Sequence, residues 1–432
     1  MPAFIMHARF ACNIFAAMQH QFDVIIIGGG AAGFFTAINL AEKNASLKIA
    51  ILERGKEVLS KVRISGGGRC NVTHACFDAN ELTNYYPRGN KELRGPFHTF
   101  AAADTVKWFQ QHGVLIKKED DGRMFPQTNT SQAVIDCFIH LQQSLRIQLF
   151  TGENVLSIQY NNSWQLQTQQ NIFTTKKLCI ATGSSPAMWK LLQQLGHTIV
   201  PPVPSLFTFN CKDERIIHLP GVTANASVHI KDTKLRSSGP LLITHWGMSG
   251  PAILKLSAWG ARILHDKNYA FTLIVNWLPD EDVESIFQKL KSLKEQQPQK
   301  IIIAKSPFTI PNRLWESLVQ AASIDGQARW ADVSKIQLQQ LAQQLCQCSF
   351  TINGKSTFKE EFVTAGGIDL KEIDFKTMRS KVLPNLYFAG EVLNIDAVTG
   401  GFNFQNAWTD GYIAALAMND DKLIKHATYS TT

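Results

Sequence analysis

Apolar residues in the first fifty positions form two short runs separated by a longer amphipathic stretch. Residues 22–27 are a β-branched run that ends at glycine, which is typical of a buried parallel strand. Residues 31–41 carry helix formers with apolar helical spacing, and residues 48–52 form the second apolar run. This order predicts a βαβ unit. The residues that precede this unit are apolar-leaning, but Arg9 lies in the middle of them, which argues against a secretory signal. We therefore expect residues 1–20 to be a disordered extension, with Met18 as the alternative start of the chain.

Helical and alternating patterns continue to about residue 195. Helical spacing predicts helices over residues 105–113 and 131–145. Short alternating or apolar segments predict a series of strands, at residues 147–150, 154–160, 163–168, 172–174 and 178–181. We therefore expect the first part of the chain to be a mixed α/β domain.

The pattern changes at Pro201, because four prolines fall between Pro201 and Pro220. The alternating segments that follow predict a β-rich second domain, with strands at residues 226–230 and 270–275. Polar, periodic segments then predict a small helical insert, with helices at residues 281–294, 314–322 and 336–346. The strand and turn pattern returns after residue 362, with a strand at 386–389 and a helix at 405–416.

Composition narrows the class of protein. The chain has 432 residues, enough for two or three domains, and its 45% hydrophobic and 18% charged residues are ordinary for a globular enzyme. No apolar run reaches the roughly 20 residues that span a bilayer, so we expect no membrane segment. The eight cysteines form no Cys-x-x-Cys pair and no zinc spacing, which favours free thiols in the cytoplasm and no metal site.

The net charge is positive and unevenly distributed. The formal charge is +8, and residues 54–94 contain eight Lys or Arg against four Asp or Glu. This excess is compatible with an anionic partner, although solubility alone also explains a modest positive charge.

The first chemical motif is a glycine turn between the first strand and the first helix. Gly28, Gly30 and Gly33 have the G-x-G-x-x-G spacing that permits a tight turn, close approach of a pyrophosphate and close packing of helix on strand. Glu53 follows twenty residues after Gly33, at the end of the next strand, where an acid accepts hydrogen bonds from ribose hydroxyls and disfavours a 2′-phosphate. The motif predicts FAD or NAD; the alternative is a glycine-rich turn without a ligand.

Three further motifs are consistent with a flavin site. Residues 65–71 read Ser-Gly-Gly-Gly-Arg-Cys-Asn, in which the glycines let the backbone lie against a flat ligand and Arg69 can neutralise a phosphate or a reduced flavin; a mobile loop is the alternative. A strand ends in Gly390-Glu391, with Asp396 beyond it. Residues 399–407 begin with Thr-Gly-Gly-Phe-Asn and open a helix, whose N–H groups would stabilise negative charge on a flavin.

The two ends of the chain must therefore meet around one FAD. The predicted cofactor contacts lie in these motifs and at the ends of the buried strands: Gly28, Gly30, Ala32, Gly33, Glu53, Arg54, Gly67, Gly68, Arg69, Thr182, Gly183, Gly390, Glu391, Asp396, Gly400, Gly401, Phe402 and Asn403. No second G-x-G-x-x-G stands between a strand and a helix, so NADH or NADPH, if used, would bind transiently near the flavin. Molecular oxygen as the oxidant is equally compatible.

These motifs resemble those of the YhiN-like flavoproteins, also described as aminoacetone-oxidase-like FAD-dependent oxidoreductases. The matching runs are residues 28–33, 61–73, 244–251, 364–368 and 388–407, so the resemblance extends from residue 22 to 416. It implies a discontinuous Rossmann-type FAD-binding domain, a β-barrel domain and a helical insert within the barrel. We place the FAD-binding domain at 21–195 and 363–432, the barrel at 196–277 and 344–362, and the insert at 278–343.

The resemblance also implies reduction of uridine to dihydrouridine in large-subunit ribosomal RNA. That reaction needs a hydride from reduced flavin and a general acid, for which Cys70, His245 and Glu391 are the candidates. Two of the three have a simpler explanation: a small buried thiol for Cys70 and a packed histidine for His245. Trp246 and Phe402 are candidates for stacking a base, although such aromatic residues more often lie in a core.

Two other functions remain open from the sequence. A small-molecule oxidase or reductase, for example of an amine, would use a closed apolar cavity over the flavin and would not depend on RNA. A flavin-binding protein with a structural role would hold FAD without turnover.

Overall fold

The computed structural model describes residues 18–356 and 363–420. The part before the barrel contains nine strands and seven helices: β1 Met18–Ile27, α1 Ala31–Lys43, β2 Ile49–Glu53, α2 Ser60–Gly68, β3 Thr73–His74, α3 Ala79–Thr83, α4 Arg94–Thr99, α5 Ala102–Gln111, β4 Ile116–Lys118, β5 Arg123–Pro126, α6 Gln132–Ser144, β6 Gln148–Thr151, β7 Ser157–Asn161, β8 Ser163–Gln167, β9 Asn171–Ile180 and α7 Pro186–Gln194.

The remaining described elements build the second domain and complete the first. They are β10 Ile199–Ser205, β11 Thr208–Asn210, β12 Thr223–Ile230, β13 Arg236–Thr244, β14 Gly247–Ser249, α8 Pro251–Asp266, β15 Ala270–Asn276, α9 Val283–Gln296, α10 Asn312–Ala321, α11 Lys335–Cys346, β16 Cys348–Asn353, β17 Lys355–Ser356, β18 Val363–Ile368, β19 Ile373–Asp374, β20 Arg379–Ser380, β21 Leu386–Phe388 and α12 Phe402–Asn419, with 3₁₀ turns at Trp330–Asp332 and Leu370–Glu372.

A twisted sheet with a parallel centre organises the FAD-binding domain. The strand order is β19-β20-β21-β9-β1-β2-β6, and the pairs from β21 to β6 are parallel. Val24, Ile25 and Ile26 of β1 are fully buried, as expected where helices cover both faces of a parallel sheet. The chain moves outward in opposite directions from β1 and β9, so the carboxyl ends of these two strands form the switch point where α/β sheets bind ligands.

The chain ends meet because the last helix packs against the first. Gly411 of α12 lies so close to α1 that a Cβ there would be 2.9 Å from Thr36 Oγ1 and 3.1 Å from the carbonyl oxygen of Ala32. The segment after α2 also holds α12, since Trp408 Nε1 donates to the carbonyl oxygen of Val72 at 2.9 Å. These contacts place the predicted N-terminal and C-terminal motifs on one side of the sheet.

The second domain is a β-barrel, as predicted. Its antiparallel order is β16-β15-β12-β13-β14-β11-β17, and β17 follows β16 after a single residue, Gly354, so the two ends of the order are one bent strand. Helices α9, α10 and α11 form the predicted insert between β15 and β16. Buried residues accordingly form two large cores, one in the FAD-binding domain and one shared by the barrel and the insert.

Several predicted elements differ in their limits. Strand β1 begins at Met18, so residues 18–20 do not belong to a disordered extension; residues 1–17 lie outside the described residues. The segments predicted at 172–174 and 178–181 are one strand, β9, because the whole of it pairs with β1. Helix α11 reaches Cys346, past the predicted limit of the insert. Helix α8, which joins the barrel to the cleft described below, was not predicted. The domain boundaries themselves stay predictions.

Two expectations from composition can be compared with the structure. The seven described cysteines are all buried and free; Cys12 lies outside the described residues. Within residues 18–356 and 363–420, no helix is long and apolar enough to cross a membrane, and no cluster of His, Cys, Asp or Glu is arranged to hold a metal ion.

Candidate functional site

A cleft of about 680 Å³ opens at the switch point of the parallel sheet. Its floor is the turn after β1 and the segment after β9, and its walls come from α2, from the turn before α12 and from the barrel side. The barrel contributes aliphatic side chains, those of Leu206 and Leu254. This volume lies within the range of clefts that hold cofactors and drug-sized ligands.

The glycine turn after β1 has the geometry that its spacing predicts. Gly28 has a φ of +118°, and a Cβ there would lie 2.3 Å from the carbonyl oxygen of Ala181. A Cβ on Gly33 would lie 1.9 Å from the carbonyl oxygen of Gly28, so only glycine lets α1 pack against β1. At Gly30, by contrast, a Cβ would meet no atom within 4 Å, because this residue faces the open cleft.

The first turn of α1 presents free backbone donors to the cleft. Its first helical hydrogen bond runs from the N–H of Phe34 to the carbonyl oxygen of Gly30, at 3.0 Å. The N–H groups of Ala31 and Ala32 therefore have no acceptor among the described residues, as is usual at a helix N-terminus. Such unpaired donors, together with the helix dipole, form an anion site.

Glu53 is positioned by two backbone hydrogen bonds. Its Oε2 accepts from the N–H of Gly29 at 2.8 Å, and its Oε1 accepts from the N–H of Gly55 at 2.8 Å. The carboxylate is fixed at the end of β2, lines the cleft and keeps further acceptor capacity on both oxygens. This is the geometry needed to accept hydrogen bonds from the hydroxyls of a ribose.

A single asparagine joins two motifs that are 330 residues apart. With its amide oriented to satisfy its neighbours, Asn71 accepts from the N–H of Gly401 at 2.9 Å and donates to the carbonyl oxygen of Thr73 at 3.0 Å. Gly401 has a φ of +93°, and a Cβ there would lie 2.6 Å from that carbonyl oxygen, so glycine is required. Asn403 holds the next turn by two hydrogen bonds to the backbone of Ala397.

An ion pair closes one side of the cleft. Lys61 Nζ lies 2.6 Å from Glu391 Oε2, with side-chain exposures of 58% and 18%. The pair connects α2 to the end of β21, and both residues line the cleft. It places one proton donor and one acceptor beside the space for a ligand.

The residues at this cleft fit FAD. The free donors at the start of α1 suit a pyrophosphate, and Glu53 suits a ribose. The backbone of the glycine turns at Gly66-Gly67 and Gly400-Gly401 lines the space where a flat ring system would lie, and a Cβ on Gly67 would meet no protein atom within 4 Å. Thirteen of the eighteen predicted cofactor contacts line the cleft: Gly28, Gly30, Ala32, Glu53, Arg54, Gly67, Thr182, Gly183, Gly390, Glu391, Gly400, Gly401 and Asn403.

Asp396 is not in the cleft, contrary to the prediction. It is fully buried and forms a bidentate ion pair with Arg88, while Ser205 Oγ donates to its Oδ2 at 2.7 Å. Arg88 also donates to the carbonyl oxygen of Ala258 in α8 at 2.6 Å. Asp396 therefore holds the FAD-binding domain against the barrel side, and its carboxylate has no capacity directed at a cofactor.

Four other predicted contacts also lie outside the cleft lining. Arg69 pairs with Glu119 at 2.5 Å and stacks 4.0 Å from the centre of the Phe125 ring, so its charge is already compensated. Gly68, beside it, lies outside the cleft lining, as does Gly33, whose role is to let α1 pack against β1. Phe402 is 2% exposed and stacks on Tyr85 with ring centres 4.2 Å apart, which makes it a core residue rather than a stacking platform.

Only Glu391 of the three candidate proton donors lines the cleft. Cys70 is 0% exposed, with a φ of +61° that turns its side chain into the core, and burial raises the pKa of its thiol to about 12 although a hydrogen bond with Ser65 lowers it. His245 lies exposed in the turn between β13 and β14, in a separate shallow depression of the barrel that Trp246 also lines.

The sequence reasoning did not identify several residues of the cleft as site residues. Four such residues line it: Lys61, Asn71, Arg123 and Phe404. The first two lie in the run 61–73, Phe404 lies in the run 388–407, and Arg123 begins β5. The polar residues next to the glycine runs could have been predicted as site residues, because a glycine-rich backbone that lies against a ligand also brings its neighbouring side chains close to that ligand. Nothing in the local sequence indicates that Arg123 of β5 would reach the same space.

The chain matches a known family model and several named proteins. The family described as "HI0933-like protein Rossmann domain" matches residues 22–417. The chain is 29% identical to a protein named "Ribosomal RNA dihydrouridine synthase" from Haemophilus influenzae, over 93% of this chain and 100% of that protein. It is 29% identical to a protein of the same name from Escherichia coli, over 92% and 98% of the two chains.

Other relatives have different names. The chain is 24% identical to a "3-dehydro-bile acid delta(4,6)-reductase" from Clostridium scindens, over 91% and 98% of the two chains. The structure resembles a 3-ketosteroid-delta4-(5alpha)-dehydrogenase from Rhodococcus jostii, with a TM-score of 0.51, 11% identity and coverage of 95% and 99%, a likeness of fold alone. With a family match that covers most of its length, the chain belongs to the HI0933-like protein family of FAD-dependent oxidoreductases.

Proposed function

We propose that this protein reduces a uridine of large-subunit ribosomal RNA to dihydrouridine, with NADH or NADPH as the source of electrons. The observation that carries the proposal is the end-to-end match, at 29% identity, to two proteins that are both named ribosomal RNA dihydrouridine synthase. Since such a substrate is found in the cytoplasm, we propose that location for the protein.

The proposal assigns the cofactor contacts to the cleft residues. FAD, when bound, supplies hydride transfer. The free N–H groups of Ala31 and Ala32 would hold its pyrophosphate, and Glu53 would orient its ribose. Leu206 and Leu254 would exclude water from the barrel side of the cleft.

The ion pair of Lys61 and Glu391 is the proposed source of the proton that uridine reduction requires at carbon. Lys61 Nζ carries the proton and donates a hydrogen bond to Glu391 Oε2 at 2.6 Å, which holds the ammonium group in place. Lys61 would give this proton to the uracil carbon opposite the one that receives the hydride, and would be left as a neutral amine. Lys61 is 58% exposed, so solvent can return the proton after each turnover. Of the three residues predicted from the sequence to take part in proton transfer, Glu391 alone belongs to this ion pair.

A small-molecule reductase is the second candidate, and one feature favours it. The barrel side of the cleft is aliphatic where it meets the space for a ligand, at Leu206, Leu254 and Val363. A fused-ring apolar substrate would bury such a surface well, and one relative is named a bile acid reductase.

The experiment presents both substrate classes to the FAD-loaded full chain. Ribosomal RNA lacking the modification is incubated with NADH or NADPH, digested to nucleosides and assayed for dihydrouridine by mass spectrometry. A 3-oxo steroid with a conjugated double bond is assayed in parallel for loss of that bond. Dihydrouridine that depends on the nicotinamide supports the proposal; steroid reduction without dihydrouridine contradicts it.

A pair of variants separates the site from the fold in that assay. Glu391→Gln removes the acceptor of the ion pair and should lower turnover, whereas Gly95→Ala should not. Gly95 lies in α4, outside the cleft, and a Cβ there meets no atom within 4 Å.

A further inference from the structure

Helix α8 keeps one apolar and basic face uncovered beside the cleft. Its opposite face packs into the barrel core, where Ile253, Leu256 and Leu264 are fully buried. On the outer face, Trp259 is 46% exposed, and Lys255 lies one turn before it on the same side. No described residue hydrogen-bonds or stacks on the Trp259 indole, so the ring is free for a ligand.

This face is continuous with the cleft. Leu254, next to Lys255, lines the cleft itself. A Cβ on Gly400, another lining residue, would lie 3.5 Å from His74 Cδ2, so His74 lies directly behind this part of the cleft lining. Burial is the main cause that lowers the pKa of His74, and the charges of Lys118 and Lys255 lower it further. Strand β5 pairs with β4, which carries Lys118, and with β3, which carries His74, so Lys118 lies two strands away from His74. Lys255 lies on α8, next to the lining residue Leu254.

Lys118 and Lys255 form no ion pair with a carboxylate among the described residues. Three acids follow Lys118 along the chain, and two of them are paired with arginines. Asp121, which also faces His74, is already paired with Arg123 at 2.7 Å. Glu119 is paired with Arg69. The surface next to the cleft thus carries two ammonium groups without an ion-pair partner among the described residues, and one exposed indole on the same helix as Lys255.

We propose that Lys118, Lys255 and Trp259 form a binding strip for single-stranded RNA that leads a nucleotide into the cleft. The proposal rests on the proposed function and names the surface that such a substrate would use. The ammonium groups would contact phosphates, and the indole would stack on a base next to the one that enters. Lys255 and Trp259 are about 6 Å apart along the helix axis, which suits contacts to one nucleotide and its neighbour.

Charge and chemistry favour RNA over an apolar partner. Lys255 lies one turn before the exposed ring, and Ile263, 43% exposed, lies one turn after it. A protein-docking face would be expected to have a wider apolar centre with few charges. Aromatic and basic groups together are the usual means of binding single strands without reading their sequence.

The test measures binding rather than reduction. The FAD-loaded full chain is titrated into a fluorescein-labelled oligouridylate long enough to fill a site of about 4–16 nucleotides, and anisotropy is followed at several salt concentrations. Lys118→Ala with Lys255→Ala should reduce the slope of log K against log salt by about 1.4, that is about 0.7 for each lost phosphate contact. Trp259→Ala should weaken binding about 5- to 150-fold, and Trp259→Phe should restore most of it.

Matched controls lie on the helical insert, far along the chain from the strip. Lys291→Ala removes an exposed lysine of α9, and Ile336→Ala removes a side chain that belongs to a 72% exposed residue of α11. Neither should change affinity or slope. The RNA affinity of the strip variants is compared at matched FAD content, so that loss of cofactor is not mistaken for loss of the strip.

The outcomes separate this inference from the proposed function. The proposed binding strip is wrong if the wild type and the strip variants bind with equal affinity and with an equal slope of log K against log salt. It is also wrong if the wild type binds no oligouridylate. If the strip variants bind weakly while the host's ribosomal RNA keeps every dihydrouridine without this gene, the strip stands and the proposed reaction fails.

Discussion

Gly30 separates cofactor binding from folding. Its φ of −94° and ψ of −168° suit any residue, and a Cβ there meets no protein atom within 4 Å. Gly30→Ala and Gly30→Asp should therefore leave the FAD-free fold intact. The new side chain would occupy the space in front of the free N–H groups of Ala31 and Ala32, where the proposal places the pyrophosphate.

The expected loss follows from the hydrogen bonds at that helix end. One charge-assisted hydrogen bond contributes about 1.5–3 kcal/mol, which is about 10- to 150-fold in Kd. We expect Gly30→Ala to weaken FAD binding by about this factor, through one displaced contact. Gly30→Asp should weaken it more, because a carboxylate also repels the pyrophosphate and competes for the same donors.

The assay combines FAD titration with unfolding of the FAD-free protein. Quenching of flavin fluorescence gives Kd, and urea unfolding without FAD gives stability. Gly95→Ala is the neutral control, and Gly33→Ala is the structural one, since its Cβ would lie 1.9 Å from the carbonyl oxygen of Gly28. If Gly30→Asp binds FAD as tightly as the wild type, or if its FAD-free form unfolds like Gly33→Ala, the placement of the pyrophosphate is refuted.

Three further predictions concern the charged groups. Asp396→Asn should lower the free energy of unfolding in urea by about 3–5 kcal/mol, because the charge of Arg88 would remain buried without its partner, and the Kd for FAD should not change. If the variant instead binds FAD weakly at full stability, Asp396 belongs to the cofactor site. Lys61→Met should change the unfolding free energy by less than about 1 kcal/mol, because the pair is partly exposed, yet lower turnover; unchanged turnover would remove the pair from the mechanism. Burial raises the pKa of Asp410 from 3.8 to about 8, so its contribution to stability is fully present in acid and is lost as pH rises through that range. Asp410→Asn should flatten that part of the pH dependence of unfolding, and an unaltered profile would mean that Asp410 is ionised in the folded protein.

Local steric requirements made the first half of the site predictable. Gly28 and Gly33 are needed for the same reason in any β-strand that turns sharply into a helix, and Glu53 follows from its place at the end of the next strand. The joining of the chain ends was predictable because neither group of motifs makes a complete site alone. That inference required no knowledge of the contact between Asn71 and Gly401 that achieves it.

Side-chain direction could not be predicted, since it depends on distant partners. Asp396 follows a recognised motif, but Arg88, from 308 residues earlier, pairs with its carboxylate inside the protein. Cys70 follows shortly after three consecutive glycines, yet its thiol is buried. Helix α8 was not predicted because the segments around it have the alternating pattern of strands. Pro251, in its first turn, is nevertheless a residue that often marks the start of a helix.

The proposed reaction can be tested by mapping dihydrouridine in the host's large-subunit ribosomal RNA, with and without this gene. We expect that one dihydrouridine disappears on deletion and returns with the intact gene or with Gly95→Ala, but not with Gly30→Asp. If every dihydrouridine persists without the gene, ribosomal RNA is not the substrate, and the aliphatic barrel side of the cleft becomes the guide to a small molecule.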